Sequence, residues 1–188
     1  ATVAQGAGVG ALLGAGLGYA ITGDRRGVLA GAALGGLAGA AVGNTVAERK
    51  AQYANEEDFL VAEIQRNEDF IREADAENRQ LYADIQDLDR ESQRLTQQYR
   101  AGKASRAALA QQKSRVEQQL AKAKKVNSLA ERQLADARSV HQESQQKRGA
   151  QDQRTRQLES NVVQLTETRQ KSSRNVANLQ QMYDSMSI

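Results

Sequence analysis

The chain has 188 residues, with no Pro, Cys or Trp, aromatics at 4% and one histidine. Without Cys there is no disulfide and no Cys-based metal site, and a single histidine cannot build a His-ligated metal site within one chain. The net charge of +3 is small. Lys and Arg are interleaved with Asp, Glu and Gln, and no basic block carries stacking aromatics, so nucleic acid is not an expected partner.

The apolar residues are concentrated before residue 50. There glycine recurs every fourth position, at Gly6, Gly10, Gly14 and Gly18 and again at Gly27, Gly31, Gly35, Gly39 and Gly43, with Gly8 and Gly16 on a second row. A four-residue step advances about 400° around a helix, so each set stacks into a nearly straight row. In water such a row is unfavourable, since each glycine costs about 1 kcal/mol against alanine in a helix. In a bilayer the backbone must satisfy its own hydrogen bonds, which enforces the helix, and the bare row lets a second helix approach closely. Helices over about residues 3–21 and 27–47 would each reach roughly 28–32 Å, near the thickness of a hydrocarbon core. Neither run holds a charge. The polar turn Thr22-Gly23-Asp24-Arg25-Arg26 separates them, and Glu48, Arg49 and Lys50 follow the second, where headgroups would lie. The spacing therefore predicts a membrane hairpin over residues 1–47. A flexible leader would be Ser-rich and aperiodic, whereas Ser is absent before position 92. A signal peptide would have one apolar core, not two.

Residues 48–58 form a connector without Pro or Gly, so the second membrane helix is expected to run straight into water. Tyr53 and Phe59 suit either a membrane interface or ordinary helix packing. From residue 59 to 188 a helical tail is expected. Its heptad seam reads Leu60, Ile64, Asn67, Ile71, Ala74, Asn78, Leu81, Ile85, Leu88, Ser92, Leu95, Tyr99. β-branched residues at a with Leu at d resemble a parallel two-stranded seam, with Asn78 as a register device. Counting on by sevens meets Leu109, Val116, Leu120, Ala123, Ala130, Leu134, Ala137, Leu158, Val162, Leu165, Val176 and Leu179.

Two architectures follow. In one, residues 48–186 are a single helix in a homo-oligomeric coiled coil, on the order of 200 Å long; the preserved phase favours it. In the other, the tail folds back near Gly102 and Gly149 as an antiparallel bundle. Gly102 suits a helix C-terminus and Ser105 an N-cap. The seam is also weak at Ser92, Tyr99, Gly102 and Arg106, and again from His141 to Thr155. The fold class is all-α under either.

No catalytic constellation stands out. Glu56, Glu57 and Asp58, like Asp84 and Asp87, belong to solvated helix faces, and His141 is a polar seam residue. The G-x-G at Gly6 and Gly8 has no preceding strand and no Lys-Ser/Thr after it. Neither an enzyme nor a bound cofactor or metal is expected.

The ladder Gly6–Gly18, the Thr22–Gly27 turn and the ladder Gly27–Gly43 together resemble the glycine-zipper two-transmembrane domain of bacterial envelope lipoproteins. The resemblance covers about a quarter of the chain. It implies a Gram-negative cell envelope, with the tail in the periplasm and the outer membrane favoured over the inner. Such proteins commonly carry a lipidated Cys. This sequence begins at Ala1, so either the lipidated end lies outside it or the hairpin is the anchor. The expected partners are the lipid bilayer, other copies of the chain and another envelope component. The expected function is a non-enzymatic, membrane-anchored oligomeric scaffold. The alternative is an oligomeric pore or a secretion or injection component with a periplasmic helical tube. Few polar residues in the runs, chiefly Gln5, Tyr19, Thr22, Asn44 and Thr45, would face its lumen.

Overall fold

The structure, a computed structural model, describes residues 45–186. The ladder glycines and the predicted membrane helices lie outside these residues, apart from Thr45, Val46 and Ala47. Among the described residues there are four helices and no strand: α1 Val46–Lys50, α2 Glu56–Arg100, α3 Arg106–Arg148 and α4 Gln153–Ser185. None of them is long and apolar enough to cross a membrane.

The connector is not one continuous helix. Thr45 and Glu48 form a capping box, in which the Glu48 N–H donates to Thr45 Oγ1 at 3.3 Å and the Thr45 N–H donates to Glu48 Oε2 at 2.7 Å. This satisfies orphan donors at the start of α1 and holds Thr45 outside helical geometry. Asn55 caps α2 by accepting from the Asp58 N–H at 2.9 Å. Glu56, Glu57 and Asp58 in the first turn complement the helix dipole. Two strong N-caps only ten residues apart divide the segment where a helix without Pro or Gly was expected to run through.

The single helix over residues 48–186 does not form either. At the end of α2 the Lys103 N–H donates to Gln98 O (2.7 Å) and the Gly102 N–H to Tyr99 O (3.0 Å). With Gly102 at φ +69° this is a Schellman motif, a conformation L side chains rarely adopt. Ser105 then caps α3 by accepting from the Ala108 N–H. Gly149, at φ +87°, ends α3. Asp152 caps α4 by accepting from the N–H groups of Arg154 and Thr155 at 2.9 and 3.2 Å.

The described chain divides into two units. The first holds residues 45–75 and 128–169. Within it α2 and α4 run parallel, since Asn67 meets Asn161 and Asp75 meets Thr168 at nearly constant separation. α3 is antiparallel to α2, since Arg66 meets Asp136 while Asn67 meets Gln133. Two apolar clusters fill this unit. One gathers Phe70, Ile71, Ala74, Leu129, Ala130, Leu134, Ala137 and Leu165, with Val162 packed against it. The other gathers Phe59, Leu60, Ile64, Val140 and Leu158, with Val46 and Tyr53 against it. A buried carboxamide layer joins the three helices: Gln133 Nε2 donates to Asn67 Oδ1 at 2.6 Å, and Asn67 Nδ2 donates to Asn161 Oδ1 at 3.2 Å.

The second unit holds residues 76–127 and 170–186. Within it α2 and α3 are antiparallel, by the pairs Glu77–Lys122 and Ser92–Gln112, and α2 and α4 are parallel, by Asn78–Ser172 and Ser92–Met182. Leu81, Ile85, Leu109, Val116, Leu120, Val126 and Leu179 are buried in it. Asn78 Nδ2 donates to Ser172 Oγ at 2.9 Å, and Asn175 Nδ2 donates to the Asn78 carbonyl at 3.1 Å. The buried Asn thus finds its partners within the chain.

Candidate functional site

The densest chemistry lies in the first unit around α1, which follows the glycine-rich stretch in the sequence. α1 contributes Arg49, α2 contributes Glu63 and Arg66, and α3 contributes Asp136. Arg49 is 5% exposed, Glu63 3% and Arg66 4%. Arg49 grips Glu63 with both ends of its fork, Nε to Oε1 at 2.7 Å and Nη2 to Oε2 at 3.0 Å, and also donates from Nη2 to Asp136 Oδ2 at 3.1 Å. Arg66 Nη1 stands 3.4 Å from Glu63 Oε2 and 3.6 Å from Asp136 Oδ2. Two cations and two anions leave the cluster neutral, which is what allows it to be buried. Burial would depress the Arg49 pKa, but hydrogen bonding to Glu63 and the charges of Glu63 and Asp136 outweigh it and hold the value above the ordinary one. For Arg66 burial prevails over the attraction of Glu63, and Arg49 adds repulsion, so its pKa lies below the ordinary value.

Two shallower nodes flank this one. Lys50 and Lys147 share Glu143 and Glu56, joining α1, α2 and α3. Arg148 and Arg154 share Glu57, at 2.8 and 2.7 Å, and Arg148 reaches Asp152 at 3.1 Å. Beneath the charges, Tyr53 meets Phe59 edge to face with centroids 6.0 Å apart, and the Lys50 ammonium lies 5.8 Å over the Phe59 ring. Phe59 is 1% exposed, so of its two expected settings it takes helix packing.

The sign of the pH response follows from these nodes. Hydrogen bonding to Arg154 holds the Glu57 carboxyl below its ordinary pKa, Lys147 and Lys50 do so for Glu143, and Arg148 does so for Asp152. A carboxylate with a depressed folded pKa stabilises the fold above its unfolded pKa, and the contribution disappears as pH falls through the folded value. Urea midpoints are therefore expected to stay level from pH 7 to about 5 and to drop below the ordinary carboxylate range near pH 4. A midpoint that holds to pH 3 would rule these pairs out as contributors.

The expected seam residues are distributed as follows. Leu60, Ile64, Ile71, Asn78, Leu81, Ile85, Leu109, Val116, Leu120, Leu134, Leu158, Leu165 and Leu179 are buried, while Leu88, Leu95, Val162 and Val176 are half-buried. In α4 the row completing the seam is Asn161, Thr168, Asn175 and Met182. His141 is half-buried. In the sequence Arg49 and Lys50 stand where headgroups are expected. Among the described residues protein carboxylates answer both charges. A signal for the cluster existed: Phe59, Glu63, Arg66 and Phe70 are spaced four, three and four, a second inward stripe beside the heptad seam.

A glycine-zipper family model (Gly-zipper_Omp) matches residues 5–50, about a quarter of the chain. No curated protein and no solved structure matches. The match ends at Lys50, the last residue of α1, so Arg49 and Lys50 belong both to the matched segment and to the ion clusters.

Proposed function

We propose that this chain is a membrane-associated protein of the bacterial envelope that works as a non-enzymatic oligomeric scaffold. The glycine ladders pack helices and copies together in the bilayer, and the helical tail presents surfaces to other copies or to another envelope component. Neither nucleic acid nor a cofactor takes part in this reading. The observation that carries it is the overlap at residues 46–50, where the end of the zipper match is clamped to α2 and α3 through Arg49 and Lys50. A buried bidentate clamp holds α1, the end of the matched segment, on α2 and α3, which suits a scaffold better than a loosely tethered domain. The outer membrane is favoured on resemblance. The pore reading has less support, because a tube built from tail seams would need those seams to face other chains, and here they pack within one.

Light scattering of detergent-extracted protein tests the zipper. Gly35→Leu with Gly39→Leu fills the row with side chains and is expected to reduce the oligomer to monomers or hairpins without altering the helical content of the tail. Oligomers of unchanged mass would remove the zipper from the reading.

A further inference from the structure

In the first unit, α3 and α4 enclose a shallow groove of about 290 Å³ lined by Glu131, Leu134, Ala135, Arg138, Thr166 and Arg169. Leu134 and Ala135 give it an apolar floor. Its rim carries two arginines, of which Arg169 shares a 3.5 Å surface pair with Glu131, while Arg138 has no ion-pair partner among the described residues. α2 presents an outward row, Val61, Gln65, Glu68 and Arg72, all exposed and spaced four, three and four. Glu68 has no ion-pair partner among the described residues.

We propose that this groove receives the outward row of α2 from a second copy, with Glu68 of one copy set between Arg138 and Arg169 of the next and Arg72 set against Glu131. The charges are complementary, and so are the heights. The Asn67–Gln133–Asn161 layer crosses both features, and Asp75 pairs with Thr168 next to Arg169 at the groove's far end, so Gln65 to Arg72 lie level with the groove. Copies anchored in one membrane stand at one height and meet without a vertical shift. The contact joins two different faces, so it repeats from copy to copy and can close a ring. A small polar interface suffices, because tethering raises the effective concentration of neighbours to the millimolar range. The inference rests on the zipper bringing copies together.

The chain has no Cys, so paired single-cysteine chains give a clean test in detergent-extracted full-length protein. Gln65→Cys on one chain and Ala135→Cys on another keep every charge in place. The control joins Gln65→Cys to Gln164→Cys; position 164 is two residues from Thr166 and so faces roughly the opposite side of α4. The expected cross-linked fraction is roughly tenfold above the control, one decade in association constant. Glu68→Arg should abolish that excess, and adding Arg138→Glu should restore it. Oligomers without the Gln65–Ala135 cross-link overturn the groove and leave the zipper standing, whereas monomers throughout overturn both. Stronger cross-linking of Gln65→Cys to itself, or of Ala135→Cys to a different protein, also overturns the proposal.

Discussion

Replacing Arg49 by Met is expected to destabilise the first unit by about 3–5 kcal/mol, the range for breaking one side of a buried ion pair. The loss is not that of a contact alone. Glu63 would keep its burial, and Asp136 its partly exposed place, with only Arg66 to answer them, and Arg66 reaches them at 3.4 and 3.6 Å, where Arg49 bonds at 2.7–3.1 Å. One carboxylate in the cluster becomes uncompensated. Adding Glu63→Gln to Arg49→Met removes one charge of each sign and should recover a large share of the loss, which a general packing defect would not. Urea unfolding of the full chain in detergent gives the free energies, and hydrogen exchange over residues 46–55 reports whether α1 has left its seat. A loss under 1 kcal/mol, or no recovery in the double variant, would show that the cluster is not the clamp.

The second large effect is expected at the carboxamide layer. Asn67→Leu leaves Gln133 Nε2 and Asn161 Oδ1 without the partner each now has. A buried polar group stranded in this way costs about 1–3 kcal/mol, so the single substitution should destabilise by roughly 2–5 kcal/mol. Replacing Asn67, Gln133 and Asn161 all by Leu strands nothing and should be at least as stable as the natural sequence. Its cost falls on register, since a buried polar layer fits at one level only whereas three leucines fit at several. The triple variant should show a higher urea midpoint and doubled or broadened amide resonances. If Asn67→Leu behaves like a surface substitution, the layer does not hold the helices.

The α-helical class and the inward face of α2 from Leu60 to Ile85 could be read in the sequence, because large apolar residues at heptad spacing are a strong signal. The inward face of α4 was harder to read. Its completing row, Asn161, Thr168 and Asn175, is polar, so apolar counting settled on Val162 and Val176 one position along, which the structure leaves half-buried. A count by sevens also carries phase through a turn, although residues between two helices need not preserve it. The seam could not disclose its partner, because apolar a and d positions suit a neighbouring chain as well as a neighbouring segment. Arg49 was hidden for another reason. A cation just after an apolar run reads as a headgroup contact until Glu63, Arg66 and Asp136, remote in sequence, are seen around it.

The brevity of α1 has a mechanical consequence. Its five residues are held by side chains, through Arg49, Lys50 and the packing of Val46, with few backbone bonds in series. If the zipper is anchored as proposed, tension from it reaches these clasps before it reaches the long ladders of α2. When they yield, the stretch from Thr45 to Asn55 can extend to an end-to-end length of at most about 35 Å. The first unit then loses the Arg49 pairs while the reach between the matched segment and α2 grows. Under such a load the clamp would act as a mechanical fuse, holding α1 against α2 and α3 at rest and giving a longer tether once it opens.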